Sequence, residues 1–174
     1  MLHQYTIIPA TLEDIPFLSS LVNSAYRGDS SKKGWTTEAD LLEGLRTDEQ
    51  DLKELMGESG SIILKCTNAE SVICGCVYLQ PKGQRLYLGM LTVNPKLQAG
   101  GIGKLLLRSA EAYAREKGFA SVIMTVISVR TELLDWYKRH GYQDTGKRKP
   151  FPTDKPNFGT PLQPLEMVVL EKTI

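Results

Sequence analysis

Apolar residues at helical spacing dominate the first third of the chain, after a short strand-like segment. Leu18 and Leu21 fall on one face of a helix, and Thr11 is a suitable N-terminal cap for it. A second helix can start at Thr36 or Thr37, and a capping-box pattern soon afterwards continues it. The predicted elements are a strand over residues 5–9 and helical segments over residues 11–25, 36–45 and 47–57.

The middle and end of the chain alternate between β-branched runs and turn residues. Three runs joined by short links favour antiparallel strands. A glycine-rich segment then opens an amphipathic helix, and the run after that helix can pair in parallel because a helix intervenes. The predicted strands are residues 61–67, 71–79, 85–93, 121–127, 142–145 and 165–171, with helices from the glycine-rich segment to residue 117 and over residues 131–139.

The order of these elements, βααβββαβαββ, predicts the fold class. It indicates an α/β (α+β) fold in which helices flank a mixed β-sheet that is largely antiparallel in its first half. Residues 149–164 contain five prolines, which argue against regular structure there and indicate a long loop.

Composition narrows the function classes. The 174 residues are 41% hydrophobic and 24% charged, as expected for a single globular domain over residues 1–174. A net charge of +1 gives no sign of a nucleic-acid partner. We find neither a signal peptide nor an apolar run long enough for a membrane helix, so we expect a cytoplasmic protein. Cys66, Cys74 and Cys76 fit buried reduced thiols, and no metal-ligand spacing is present.

The segment Val93–Glu111, VNPKLQAGGIGKLLLRSAE, places three glycines where a strand gives way to a helix. It does not match the P-loop pattern G-x-x-x-x-G-K-S/T, because Gln98 occupies the position where that pattern requires its first glycine. It does not match the dinucleotide pattern G-x-G-x-x-G either, because Leu106 stands at the last glycine. A helix N-terminus with exposed N–H groups and Lys104 nonetheless suits an anion. The alternative is a plain turn that reverses the chain.

Two motifs resemble those of the GNAT N-acetyltransferases. Residues 98–103, QAGGIG, resemble the family's acetyl-CoA-binding motif Q/R-x-x-G-x-G/A. Residues 136–142, WYKRHGY, resemble its second motif F/L-Y-x-x-x-G-F/Y. The element order over residues 4–172 is also similar to the family fold. The resemblance therefore spans nearly the whole chain.

The resemblance implies a function and a cofactor site. It implies direct transfer of an acetyl group from acetyl-CoA, the donor cosubstrate, to a primary amine, without a metal. Tyr137 would be the acid that protonates the thiolate. The coenzyme would enter a gap between two splayed strands. The residues implied to bind it are Leu91, Thr92, Val93, Gln98, Ala99, Gly100, Gly101, Ile102, Gly103, Lys104 and Arg130.

The sequence departs from the family pattern in two places. Tyr87 stands where some members carry a glutamate base, and tyrosine is a poor base at neutral pH. Arg130 stands where many members have an asparagine that faces the coenzyme, so it either reaches the coenzyme or is a surface charge. The bases considered instead are Glu38, Asp40, Glu43 and Glu166.

The acceptor site is implied to lie against the first helices and the loop before the last strand. Its residues would be Tyr26, Trp35 and Glu38, with Arg27, Phe151 and Phe158 nearby; Tyr26 and Trp35 are equally compatible with covering the core. An acidic start to the predicted second helix suits a cationic amine, although acidic residues also favour helix N-termini in general.

A small-molecule amine is favoured over a protein amine as the acceptor. Either a monomer or a homodimer is compatible with the sequence. The alternative function is a non-catalytic acyl-CoA-binding or regulatory domain with the same fold.

Overall fold

The computed structural model describes residues 4–98, 100–152 and 159–174. Five helices and nine strands are found in these ranges. The helices are α1 (Ile15–Tyr26), α2 (Gly28–Ser31), α3 (Glu49–Gly57), α4 (Ile102–Glu116) and α5 (Thr131–Arg139). The strands are β1 (Thr6–Pro9), β2 (Leu42–Glu43), β3 (Ile62–Thr67), β4 (Ile73–Lys82), β5 (Arg85–Val93), β6 (Ser121–Ile127), β7 (Gln143–Pro150), β8 (Thr160–Pro161) and β9 (Glu166–Thr173).

Seven of the strands form one mixed sheet in the order β1-β3-β4-β5-β6-β9-β7. The pairs from β1 to β5 are antiparallel, and β5 pairs with β6 in parallel across the α4 crossover. Strand β9 lies between β6 and β7 and is antiparallel to both. The mixed sheet with an antiparallel first half is therefore confirmed.

Helices cover both faces of the sheet. Helix α4 contributes Leu106, Leu107 and Ala110 to one buried cluster, and α5 contributes Leu134 and Tyr137 to the same cluster. Helices α1 and α3 close the opposite face, where their apolar side chains pack on β3, β4 and β5. Burying these apolar stripes provides the main driving force for docking the helices.

Strand β5 carries a bulge that changes which face its side chains reach. Leu86 and Leu88 point to the α4 face, yet Met90 points to the α1 face and Leu91 returns to the α4 face. The pairing with β4 places two residues of β5 opposite Val77, and Met90 has a φ of 55°. The bulge therefore shifts the alternation by one residue in the middle of the strand.

Beyond the start of β5, strands β5 and β6 separate. Their parallel pairing joins residues 85–87 to residues 121–123 and stops there. The remaining part of β5, with the bulge, faces an opening in the middle of the sheet. This opening is the splay that the family resemblance implied.

The predicted helix over residues 36–45 is wrong. These residues form turns and the short strand β2, which pairs with β8. Long-range contacts hold this conformation: the Thr36 hydroxyl donates to Glu132, and Arg130 donates to Thr36. These tertiary contacts override a weak local helix preference. The argument from an acidic helix start for a cationic acceptor is lost with the helix.

Other boundaries also differ from the predictions. Helix α3 is capped by Asp48, whose side chain accepts from the Asp51 N–H, rather than by Thr47. Regular structure also enters the proline-rich segment, because β7 runs to Pro150 and β8 begins at residue 160. The expected loop contact at Phe158 lies outside the described residues.

All three cysteines are buried in β3 and β4 with free thiols, as expected. No helix in the described part of the chain has the length and apolar character required to cross a membrane. The described residues also contain no cluster of three or more histidine, cysteine or acidic side chains suited to a metal ion.

Candidate functional site

Two cavities meet at the opening between β5 and β6. The larger, of about 350 Å³, lies between the end of β5, the start of α4 and helix α5. The smaller, of about 80 Å³, lies on the other side of β5, towards α1 and β6. Among the residues that the structure describes, five line both cavities: Tyr26, Leu91, Arg130, Leu133 and Tyr137. A molecule in one cavity therefore approaches a molecule in the other at these side chains.

The N-terminus of α4 forms one end of the larger cavity. Gly101, its cap, has a φ of 90°, a left-handed conformation that favours glycine. The first-turn N–H groups lack partners within the helix, and the first turn holds no acidic residue. A Cβ on Gly103 would lie 3.6 Å from Trp136 and Val93, an ordinary contact. Packing does not require glycine at 103, whereas close approach by an anion would.

The Gln98 side chain links the end of β5 to the loop that contains Trp35. Its Oε1 accepts from the Trp35 N–H at 3.0 Å, and its Nε2 donates to the Val93 carbonyl at 3.2 Å. The side chain of this motif residue thus fixes the wall of the larger cavity. The expected neighbour Ala99 lies outside the described residues, and Gly100 is exposed beside it.

The end of β5 presents its backbone to the larger cavity. The Leu91 carbonyl accepts a hydrogen bond from the Tyr26 hydroxyl at 2.7 Å. Thr92 is buried, and its hydroxyl donates to the Met90 carbonyl at 2.9 Å. Leu91, Thr92 and Val93 all line the larger cavity, as do Gly103 and Lys104 at the start of α4. Ile102 is buried beneath them in the core.

Tyr137 lies where the two cavities meet. Its ring is only 5% exposed and makes edge-to-face contacts with Trp136 and Tyr142, at centroid distances of 5.1 and 5.9 Å. Burial raises the pKa of Tyr137 well above its usual 10, and the nearby Tyr26 hydroxyl adds to the increase. The Tyr137 hydroxyl is therefore protonated at neutral pH and is available as a donor.

Glu38 was expected in the acceptor site and Arg130 in the acetyl-CoA site. In the structure the two side chains form an ion pair with each other. Arg27 Nε and Arg130 Nη1 donate to the two Glu38 oxygens at 3.0 and 3.1 Å. All three side chains are buried. Arg130 Nη2 also donates to the Thr36 hydroxyl at 2.6 Å. Arg130 is thus a buried residue rather than a surface charge, and it lines both cavities rather than the larger one alone.

Tyr87 lines the smaller cavity, at the position where the family resemblance suggested a base. Its ring covers Gly89, since a Cβ there would lie 2.8 Å from the ring. Among the four acidic residues considered as bases, Glu38 lines this cavity. The other three are exposed and are absent from its described lining: Asp40, Glu43 and Glu166.

Comparison with protein families identifies the fold and its relatives. A model of the acetyltransferase (GNAT) family matches residues 20–142, which is most of the chain. The chain belongs to the GNAT acetyltransferase family.

Two relatives illustrate the match of this GNAT chain. It is 30% identical to human N-acetyltransferase 8B over 124 residues, which are 67% of this chain and 53% of that protein. It is 33% identical to the probable N-acetyltransferase 14 of Xenopus tropicalis over 76 residues, 42% of this chain and 37% of that protein. The GNAT chain spans about half the length of the human relatives that it matches.

Solved structures share the GNAT fold at low identity. The ribosomal-protein-S18-alanine N-acetyltransferase of Escherichia coli has a TM-score of 0.72 and 15% identity, with 98% of this chain and 94% of that chain covered. The PaiA N-acetyltransferase of Thermoplasma acidophilum, in complex with coenzyme A, has a TM-score of 0.69 and 16% identity, with 98% and 99% covered.

The GNAT structure adds site residues that sequence reasoning missed, among them His140 and Arg46. His140 lines the larger cavity and packs on Trp136 at a centroid distance of 4.4 Å. Its place one helical turn after Trp136 was a usable signal. Arg46 lines the smaller cavity with its guanidinium 5.4 Å from the centre of the Tyr26 ring. No local pattern marks Arg46, because it belongs to a loop that only the fold brings to Tyr26.

Proposed function

We propose that this GNAT protein is an acetyl-CoA-dependent N-acetyltransferase that transfers the acetyl group directly to a primary amine. The observation that carries the proposal is the meeting of two cavities at a protonated, buried Tyr137, with a glycine-rich helix N-terminus at the far end of the larger one. Each cavity suits one substrate, so both can be bound together. One domain over residues 1–174 would provide both sites.

The larger cavity suits the donor. The N–H groups at the start of α4 and the Lys104 ammonium would bind the pyrophosphate. Residues 98–101 would shape the preceding turn. Leu91, Thr92 and Val93 would align the pantetheine arm along the part of β5 that lies beyond its pairing with β6. When bound, acetyl-CoA supplies an activated thioester.

Tyr137 would act as the general acid. A tyrosine hydroxyl already carries its proton at neutral pH, and burial raises the pKa of Tyr137 further, so a proton is present for the departing thiolate to accept. A backbone N–H near Leu91 would donate to the carbonyl oxygen as charge develops there. Tyr26 holds the Leu91 carbonyl and so fixes the strand at this point.

The smaller cavity suits the acceptor. With about 80 Å³, it admits the amine-bearing end of a molecule rather than a large group. This volume suits the amine end of a small molecule, our preferred acceptor, and equally that of a protein amine. Tyr26 and Glu38 line this cavity, whereas Trp35 lines the larger one and is 45% exposed. We propose that Trp35 covers the bound acetyl-CoA. We also propose that Glu38 does not contact the acceptor and instead positions Arg27 and Arg130, which donate to its two oxygens.

Thiol release from acetyl-CoA, measured across a panel of primary amines, tests this function. Calorimetric titration of acetyl-CoA gives its affinity in the same buffer. Amine-dependent thiol release is the expected result. Tight binding of acetyl-CoA without turnover of any amine would instead identify a regulatory acyl-CoA-binding domain. Failure to bind acetyl-CoA would refute both functions.

A further inference from the structure

We propose that residues 34–38 form a strap that retains acetyl-CoA in the larger cavity and keeps water from its thioester, and that Gln98 and Gly34 position this strap. The inference rests on the proposed acetyl transfer and gives the donor motif a further task. Two residues of the strap, Trp35 and Thr36, line the larger cavity. The strap is therefore one wall of the space in which the donor would lie.

One end of the strap is anchored on the donor motif. Gln98 Oε1 accepts a hydrogen bond from the Trp35 N–H at 3.0 Å, and Gln98 Nε2 donates to the Val93 carbonyl at 3.2 Å. A single side-chain amide thus connects the backbone of the strap to the end of β5. Because both polar atoms of the amide are engaged, the direction of the Gln98 side chain is fixed.

Gly34 allows this close approach of the strap to Gln98. The Gly34 backbone is not in the left-handed conformation that favours glycine, so glycine is needed there for space. A Cβ on Gly34 would lie 2.7 Å from Cδ of Gln98 and would also overlap its Oε1. The three atoms nearest to that Cβ all belong to the Gln98 amide. An alanine at position 34 would therefore displace the amide that anchors the strap.

The other end of the strap is anchored at the start of α5. Arg130 Nη2 donates to the Thr36 hydroxyl at 2.6 Å, and that hydroxyl donates to Glu132 Oε1 at 2.9 Å. Arg130 Nη1 donates to Glu38 Oε2 at 3.1 Å. The strap thus runs from the β5–α4 side of the larger cavity to its α5 side. Glu38 also lines the smaller cavity, so the strap contributes to the walls of both.

A strap in this position would protect the donor. Trp35 is 45% exposed, and its indole would be partly buried against bound acetyl-CoA. A thioester can react with water as well as with an amine, so the exclusion of water favours the amine. In the reaction with water, the water oxygen attacks the carbonyl carbon and the C–S bond breaks, which yields acetate, a proton and the thiol of coenzyme A. A closed strap would hold the thioester until an amine arrives.

Alanine variants on the two sides of the first anchor test the proposal. Gln98→Ala removes the amide, and Gly34→Ala displaces it. Each variant should release bound acetyl-CoA about 3- to 10-fold faster, in line with the loss of one hydrogen bond. The ratio of amine-independent to amine-dependent thiol release should rise by a similar factor. Release is measured by chasing labelled acetyl-CoA with excess coenzyme A, and hydrolysis is measured as acetate formed without an amine.

The double variant with both alanines gives the sharpest comparison. The atoms that a Cβ at position 34 would meet are absent once Gln98 is alanine. Gly34→Ala should therefore have little further effect in the Gln98→Ala background, because neighbouring residues that act through one contact are not additive. Effects of the two changes that simply multiply would overturn the assignment of Gly34 and Gln98 as partners.

Gly57→Ala and Gln84→Ala are the matched controls. A Cβ on Gly57 would meet nothing within 4 Å among the described residues. Gln84 is exposed and is absent from the described lining of both cavities. Both controls should release and hydrolyse acetyl-CoA at the native rates, and thermal unfolding compares the stability of all variants.

The outcomes separate this inference from the proposed function. Native rates of acetyl-CoA release and hydrolysis in folded Gln98→Ala would overturn the strap and leave the acetyltransferase function intact. An equal loss of both kinds of thiol release would also overturn it, because it indicates general damage to the site. If Gly34→Ala does not fold, the double variant should fold, and its failure to do so would contradict the contact with Gln98. Absence of acetyl-CoA binding by the native protein would overturn the proposed function itself.

Discussion

Trp136 and Tyr142 hold the Tyr137 ring from two sides, so its hydroxyl has little freedom of direction. Tyr142 is itself fixed, because its hydroxyl donates to the buried Glu111 at 2.9 Å. Lys172 donates to the other Glu111 oxygen at 3.1 Å. The proposed acid is thus supported by residues distant from the reaction, through packing and one buried carboxylate.

Replacing Tyr137 by Phe should lower kcat by about 100-fold or more while leaving acetyl-CoA affinity nearly unchanged. The ring packing is kept, and only the proton donor is lost. Steady-state kinetics and calorimetric titration measure the two quantities. An unchanged kcat would exclude Tyr137 as the acid.

The pH profile provides an independent check on Tyr137. Burial raises the pKa of its hydroxyl above 10, so it remains protonated up to that pH. The rate of the native protein should rise with pH as the acceptor amine loses its proton and should show no fall from Tyr137 ionisation below pH 10. A fall centred near pH 8 or 9 that is absent in Tyr137→Phe would contradict the raised pKa of Tyr137, although not its role as the acid.

Glu38→Gln should destabilise the protein by about 3–5 kcal/mol, because it leaves two buried guanidinium groups without their shared partner. Urea unfolding followed by tryptophan fluorescence measures the change. The control is Asp40→Asn two residues later, where an 80% exposed side chain pairs with Lys32. That exposed pair should contribute less than about 1 kcal/mol. Equal effects at the two positions would contradict the buried network.

Individual site residues were predictable only where a local motif marks them. The glycines of residues 98–103 and Tyr137 belong to such motifs. Gly101, Gly103 and Tyr137 line the larger cavity, whereas Gly100 is exposed and is not part of its described lining. The Glu38–Arg130 pair joins residues 92 positions apart, and nothing in either segment marks the partner. Such pairs depend on the fold and were therefore missed.

Helix α4 begins and ends at glycines in the left-handed conformation. Gly101 has a φ of 90° at its start, and Gly118 has a φ of 79° just past its end. A side chain in this conformation costs about 1–2 kcal/mol. The two glycines therefore impose similar backbone requirements, although only Gly101 lines the larger cavity.

Gly101→Glu and Gly118→Glu should therefore lower stability by similar amounts. Only Gly101→Glu should abolish acetyl-CoA binding, because it places bulk and negative charge at the proposed pyrophosphate site. A Cβ on Gly118 meets nothing within 4 Å, so the control variant should fold. Thermal unfolding and calorimetric titration test the pair. Normal acetyl-CoA binding by folded Gly101→Glu would refute the phosphate assignment.

At the scale of elements, strong periodicity was a reliable guide and weak helix signals were not. Helices α1, α4 and α5 and the strands of the large sheet lie close to their predicted positions. The predicted helix over residues 36–45 does not form, because Thr36 and Glu38 make hydrogen bonds to residues distant in the sequence. The β5 bulge was also unpredictable, since Met90 carries no sign of its left-handed backbone.

At the scale of the whole molecule, the buried cysteine thiols and tyrosine hydroxyls should make the free energy of unfolding depend on pH in the alkaline range. Burial raises the pKa of Cys76 to about 12 and that of Tyr26 to about 12. Unfolding exposes these groups and returns the thiol pKa to about 9. Between pH 9 and 12 the unfolded chain thus holds fewer protons than the folded one, so the free energy of unfolding falls as pH rises.

The slope should reach about 1.4 kcal/mol per pH unit for each such group once the unfolded state is ionised. Urea unfolding at pH 7, 8, 9 and 10 measures it. In Cys76→Ala the fall above pH 9 should be smaller by one group's contribution, even if the variant is less stable at pH 7. Parallel stability curves for the two proteins would contradict the raised pKa of Cys76.

The place of β9 in the sheet has a consequence for biosynthesis. Strand β9 pairs with β6 along residues 167–173 and with β7 between residues 166 and 171, although both of these strands are made earlier. Until residues 166–173 leave the ribosome, β6 and β7 each keep an open edge that can pair with other chains. The sheet next to Tyr137 is therefore completed only after β9 has been made. Chains interrupted before residue 166 should be insoluble rather than partly active.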